Sequence, residues 1–274
     1  MAGGKLTPRQ KMINMMYLVL TALLALNVQK SVLDAFAVID ETLNKTIETF
    51  MKKNAMVYEE FQKQAAQNPD KAGPWKRKAD EVRKRADQMQ QYINDLKIKL
   101  VKKVDGVEDE KEKLDSTGTR IDAWKIEAKD NQDIGGEVMI VYGEGAKLKE
   151  EMKNFREFMV SMIKAKDEDI KISIMRTLAT NNPPYDPELG TVTWESQLFE
   201  HLPFIAVIAN STQLQSAVRY AESEMITYLM KEVTGEDIPF NKVDAIVIPK
   251  SNYVTKGDSF SADIFQGHLI LYPL

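Results

Sequence analysis

The chain has 274 residues, with 37 Lys and Arg against 41 Asp and Glu and a net charge of -4. That balance gives no reason to expect nucleic-acid binding, and the absence of cysteine excludes disulfides and thiolate chemistry. Two histidines, His201 and His268, leave no histidine-rich metal site, while the length suffices for a sizeable core and for more than one domain.

Residues 1–11 carry Lys5, Arg9 and Lys11 and no acid, and from Met12 to Gln29 there is no charge at all. As a helix that stretch is about 27 Å long, against a bilayer hydrocarbon core of about 30 Å. Three readings compete. A cleaved signal peptide needs small residues before a cut site, which Ala35 and Ala37 supply poorly. A buried soluble helix is normal for a shorter run. The basic flank, the length and the Leu-rich second half favour an uncleaved anchor, with residues 1–11 cytoplasmic, 12–30 spanning the membrane and the remainder outside. Gln10, Asn14, Tyr17 and Thr21 recur at helical spacing and form one polar stripe. Such stripes face another helix, because lipid offers no hydrogen-bond partner. Arg9 lies off that stripe, above Met12, Met16, Leu20 and Leu23. Its guanidinium either snorkels to the headgroups or pairs with a carboxylate on a neighbouring membrane helix.

Between Lys30 and Gln67 there is no glycine or proline, and Val32, Phe36, Ile39, Leu43, Ile47 and Phe50 predict an amphipathic helix continuous with the anchor. Asn68-Pro69-Asp70 and Ala72-Gly73-Pro74 predict a turn. A second, antiparallel helix follows from Pro74 to Val104 on the heptad seam Trp75, Ala79, Val82, Ala86, Met89, Ile93, Leu96 and Leu100. Residues 105–145 read as irregular, with a short strand at Val138–Tyr142. Leu148, Met152, Phe155, Met159 and Met162 mark a third helix. Residues 178–200 read as a long loop, and Pro203 opens a fourth helix with Leu214, Val218, Ala221, Met225 and Tyr228 on one face. These four helices predict a bundle over 31–234. Beyond Gly235, residues 245–248, 253–254, 260–264 and 269–272 read as strands, too few for an independent sheet domain. The expected fold is thus mainly α: one N-terminal transmembrane helix, a helical bundle, and the start of a β-sandwich-like domain over 235–274.

No phosphate-binding loop, dinucleotide turn or nucleophile elbow is present. The carboxylates spread along helix faces, where solvation is their usual role. Asn44-Lys45-Thr46 and Asn210-Ser211-Thr212 fit the glycosylation pattern, and Trp75, Trp124 and Trp194 read as packing residues. No catalytic, cofactor or metal residue emerges, and no enzyme activity is expected.

The run Gly3-Gly4-Lys5-Leu6-Thr7-Pro8-Arg9-Gln10-Lys11-Met12-Ile13-Asn14-Met15-Met16-Tyr17-Leu18-Val19-Leu20-Thr21-Ala22-Leu23-Leu24-Ala25-Leu26-Asn27-Val28 resembles the start of the GldM/PorM family. The likeness continues through the helices to Val247-Ile248-Pro249-Lys250. Family members are longer, with several β domains, and residues 266–274 do not resemble a family terminus. Two readings of the strands beyond Gly235 stay open: a chain cut inside a β domain, with a foreign tail over 266–274, or strands that pair with another copy.

The resemblance implies a single-pass subunit of the bacterial inner-membrane motor for type IX protein secretion and gliding motility, driven by proton-motive force, with its bulk in the periplasm. It implies a homodimer whose membrane helices sit inside a ring of the two-helix partner GldL/PorL, and periplasmic and outer-membrane secretion components as further partners. Arg9 is then expected to pair with a glutamate of that ring, and Asn14, Tyr17 and Thr21 to serve helix packing or a hydrated path. The alternative is a passive membrane-anchored scaffold linking the two membranes.

Overall fold

A computed structural model describes residues 7–235 except 186, 188 and 189, without side chains for 21–29 and Glu110, together with the backbone of 242–249 and 262–269. Helix α1 runs unbroken from Pro8 to Gln67, 60 residues or about 90 Å. Proline at its first position and the Thr7 hydroxyl, which accepts from the Gln10 N–H, start it. Asn68 alone separates it from α2 (Pro69–Asp105). The Asn68 N–H donates to the Gln64 carbonyl, and its side chain accepts from the Lys71 N–H at 3.1 Å. One residue thus closes one helix and caps the next. The expected turn at 72–74 is therefore the first part of α2, with Pro74 inside the helix. Gly106 ends α2 in a left-handed conformation, φ 65°, which glycine adopts without a Cβ clash.

A strap follows, made of short 3₁₀ turns at Glu110–Lys113 and Ala123–Lys125 and a single bridge between Leu114 and Ile121. Then come α3 (Asp133–Gly136), a π-helical turn over Glu137–Val141, α4 (Glu144–Ser161), α5 (Glu168–Thr177), α6 (Trp194–Phe199) and α7 (Phe204–Thr234). The strand expected at Val138–Tyr142 is that π turn. Val138 and Met139 are buried side by side while Val141 and Tyr142 are exposed, a pattern set by helical rotation and incompatible with alternation. The loop expected over 178–200 contains α6, whose Trp194 packs edge-on against Phe199.

Paired side chains give the directions. Asp40 meets Lys97, and the two lie nearly equidistant from Asn68, so α1 and α2 are antiparallel. Along α7, Thr212 meets Asp40 and Glu222 meets Tyr58, so α7 runs parallel to α1. Lys99 pairs with Glu144, and Arg85 lies over Phe158, so α4 runs antiparallel to α2. Helix α5 returns beside α7, with Ser173 bonded to Glu224. The seam expected on α2 is buried throughout except for the half-buried Trp75. On α1 the seam is met in part: Ile47 is buried and Phe36 packs against the core, but Val32 and Ile39 are exposed, and the other buried positions are Ala37, Asp40, Asn54, Tyr58 and Phe61. Polar side chains hold part of the inner face, so a search for apolar periodicity in part selects the neighbouring stripe.

Among the described residues no helix is long and apolar enough to cross a membrane; the side chains of 21–29, part of the stretch expected to span one, lie outside them. Beyond Gly235, β1 (Lys242–Pro249) and β2 (Ala262–Leu269) pair antiparallel, Lys242 opposite Leu269. This matches the strand expected at 245–248 and overlaps that at 260–264, and begins before the one expected at 269–272. Residues 253–254 lie outside the described residues, and no sandwich is present among those described.

Gly135 sits where α3 meets α6 and α7. A Cβ there would lie 2.6 Å from the Phe199 carbonyl oxygen and 2.9 Å from a Val207 methyl. Gly135→Ala is expected to destabilise the bundle by about 1–3 kcal/mol, the usual scale of overpacking, read as a fall in thermal midpoint.

Candidate functional site

The residues singled out near the N-terminus lie on the first turns of α1. Arg9, Asn14 and Tyr17 are all exposed; Thr21 is helical, but its side chain lies outside the described residues. Met12, Met15, Met16 and Leu18 are each about 70% exposed, and every residue from 7 to 20 is exposed. Large apolar side chains therefore face outward here, beside the polar stripe of Gln10, Asn14 and Tyr17. That is foreign to a water-exposed helix, which keeps its apolar residues to one stripe.

Further along α1 the structure assembles a cluster that sequence reasoning missed. Asp40, Lys97 and Thr212 are each at most 1% exposed and meet where α1, α2 and α7 join. The Thr212 hydroxyl donates to Asp40 at 2.5 Å and accepts from the Lys97 ammonium at 2.6 Å. The Asn44 amide donates to the other Asp40 oxygen at 2.9 Å, and Lys97 stands 4.0 Å from the carboxylate. Burial pushes the Asp40 carboxyl up against the pull of Lys97 and Thr212, and burial pushes Lys97 down against the pull of Asp40. Nearer the α1–α2 turn, Arg219 bridges Asp87 and Glu222, each at 2.8 Å, and Tyr58 donates to Glu222 at 2.8 Å. A signal existed: α7 carries Ser211, Thr212, Gln215 and Ser216 between the apolar run Phe204–Ala209 and the mainly apolar run Met225–Met230, and all four are buried. Polar residues in a helix that must be buried need partners, and charged ones elsewhere can supply them.

The strap closes the remaining side of α1 at this level. Ile121 and Ala123 are buried, Arg120 bonds Glu48 of α1 at 2.7 Å, and the Trp124 indole N–H donates to Glu41. Lys113 is held between Asp105 and Glu127. Between strap and helix lies a cleft of about 550 Å³, with Asp40 at its inner wall and Glu48, Asp115 and Arg120 among its lining. Within it Glu41 pairs with Lys45 and Arg120 with Glu48 and Asp115, and no group of three or more metal-ligating side chains exists among the described residues. Both candidate glycosylation asparagines are committed internally: Asn44 to Asp40, and Asn210 to the Leu198 carbonyl at 2.8 Å.

The family described as GldM N-terminal domain matches residues 31–232. The chain belongs to that family. The match begins just past the uncharged stretch of α1 and ends near the last turn of α7, so it covers the helical bundle and its strap. Family membership points to gliding and type IX secretion as the process served. No curated protein matches the chain.

Asp115 organises the strap. Burial opposes its charge, yet hydrogen bonds from the Thr117 hydroxyl, the Thr119 N–H and the Arg120 guanidinium hold its carboxyl down at about 2. An ordinary aspartate titrates near 3.9. Because the folded value is the lower one, its contribution to stability is complete above about pH 4 and is lost as pH falls toward 2. Asp115→Asn is therefore expected to flatten the acid limb of the stability curve between those values, as followed by urea unfolding.

Proposed function

We propose that this protein is the subunit of a proton-motive-force-driven motor in the bacterial inner membrane, carrying mechanical work into the periplasm for type IX secretion and gliding, and that it acts mechanically and not as an enzyme. The observation that carries this reading is the continuity of α1. The same unbroken helix begins with an outward-facing apolar stretch and ends inside the packed core. An α-helix is stiff over this length, so displacement or rotation at one end reaches the other without an intervening joint.

In this reading residues 12–30 cross the membrane, with 1–11 in the cytoplasm. Two copies of the chain pair, and their membrane helices stand inside a ring of GldL-type subunits. The pairing has a ready surface beyond the membrane: Val32, Ala35, Ile39, Thr42 and Thr49 follow one another at spacings of three, four and seven on the open side of α1, the repeat of a coiled-coil seam. The Thr42 and Thr49 hydroxyls bond carbonyls of their own helix, so neither needs a partner outside it. Arg9 pairs with a ring glutamate, and protonation of that glutamate releases it, letting dimer and ring step past each other. Asn14, Tyr17 and Thr21 pack against the neighbouring helices or line a hydrated path.

Arg9→Ala is expected to abolish gliding and secretion while the complex with the ring still co-purifies; full motility in that strain would sink the proton-coupling role. A second variant separates motor from scaffold. A flexible Gly-Ser insert of about ten residues between Lys30 and Ser31 keeps the two ends tethered but removes stiffness. A motor subunit loses function with the insert, whereas a passive tether keeps it.

A further inference from the structure

The buried cluster at Asp40 stands out because it is a poor way to hold three helices together. Taking two charges out of water costs several kcal/mol per ion, and apolar side chains of similar volume commonly hold a core better. Here the two charges do not even touch: Lys97 and Asp40 stand 4.0 Å apart with the Thr212 hydroxyl between them. The other contact of the ammonium is long, 3.5 Å to Gln215. The charged groups facing Asp40 are Lys97 from α2 and, across the cleft, Arg120 from the strap, itself tied to Glu48 and Asp115. Helix α7 contributes a hydroxyl and no charge. Nearer the α1–α2 turn, α1 instead buries the large rings of Tyr58 and Phe61. The attachment of α1 is therefore uneven along its length: at Asp40 the two charges are bridged only through a hydroxyl and the carboxylate borders a cleft, whereas toward Asn68 the Tyr58 and Phe61 rings are buried beside the directly paired Arg219 and Glu222.

We propose that Asp40, Thr212 and Lys97 form a polar latch, at which the part of α1 entering the bundle parts from α2 and α7 and reseats while the part nearer Asn68 stays packed. Opening returns both charges to water, which offsets the lost contacts; closing restores the hydroxyl bridge. The raised Asp40 and depressed Lys97 express the same fact, since each charged form is worse off inside than outside. The latch deepens the motor reading by placing a yielding contact where a driven helix meets its bundle. It rests on that reading for its purpose and not for its test.

The test is hydrogen exchange on the full chain in detergent micelles, comparing α1 residues 33–48 with residues 54–64. In the native protein the first segment is expected to exchange at least about tenfold faster than the second, a factor equivalent to 1.4 kcal/mol. Asp40→Leu combined with Lys97→Met is expected to slow the first segment by about tenfold or more and leave the second unchanged. Thr212→Val, which keeps the shape and removes the bridge, is expected to speed the first segment selectively, and it serves alone if the double variant fails to fold. Equal protection of the two segments in the native protein, or unaltered exchange in Thr212→Val, overturns the latch. If exchange follows this pattern and the double variant still glides and secretes normally, the latch stands as a yielding contact of the bundle and its part in the motor is overturned, while the motor reading is decided by the Arg9 and insert variants.

Discussion

Lys97 is a fully buried ammonium in the middle of a helical bundle, and the arrangement of the long helices follows from satisfying it. A lysine in that position needs acceptors. It finds them on α7, through Thr212 and Gln215, and finds a counter-charge on α1, through Asp40. Those contacts fix the register of three helices at once. A slip of one residue in any of them would rotate its side chain by about 100° and strand a charge in the core. Apolar seams tolerate such slips better, because one leucine contact resembles another. Here the polar cluster supplies specificity, and the aromatic side chains nearer Asn68 supply cohesion.

The strap adds a different constraint. It leaves α2 at Gly106, crosses to α1, and is tied there by Arg120 to Glu48 and by Trp124 to Glu41. It is built mainly from side chain-to-backbone bonds around Asp115 and Asp105 and contains no long regular element. This wall of α1 combines the buried Ile121 and Ala123 with exposed-side ion pairs and hydrogen bonds, while the α2 and α7 walls combine an apolar seam with the buried polar cluster. The family match spans all three walls and begins where the helix leaves its uncharged stretch, so the bundle and its strap together are what the family domain covers.

Much of this was legible in the sequence because apolar heptads are a direct imprint of helix packing. The α2 seam reads correctly from Ala79 to Leu100, and the α7 helix opens after Pro203 as expected. The failures share one physical cause: positions where the local signal and the tertiary environment disagree. Val138–Tyr142 carries β-branched residues suited to a strand, yet among the described residues no strand pairs with it, and its backbone bonds run within the turn, as from the Tyr142 N–H to the Glu137 carbonyl. Asn68-Pro69 reads as the start of a turn that continues to Pro74, yet Asn68 alone makes the turn: Pro69 takes the first helical position, where its missing N–H costs nothing, and α2 runs on through Pro74. The inner face of α1 is in part misplaced, because Asp40 and Asn54 occupy it. A buried carboxylate looks like a solvated one until its lysine is found 57 positions away in the chain. The roles expected of Arg9, Asn14, Tyr17 and Thr21 rest on family resemblance, and the structure shows only that Arg9, Asn14 and Tyr17 are exposed on α1.

The single residue between α1 and α2 has a consequence for how relatives of this protein can vary. Asn68 donates to one helix and caps the next, leaving no slack in the connection. Any insertion or deletion within α1 between Asp40 and Asn68 turns the whole N-terminal half of the helix about its axis and carries Asp40 away from Lys97. Only a change of about seven residues restores the facing, and it must be matched in α2 and α7 to restore the height. Length variation in this hairpin is therefore quantised: natural variants should differ there by whole heptads in concert, or not at all, while the strap and the segment before α6 absorb odd-sized changes freely.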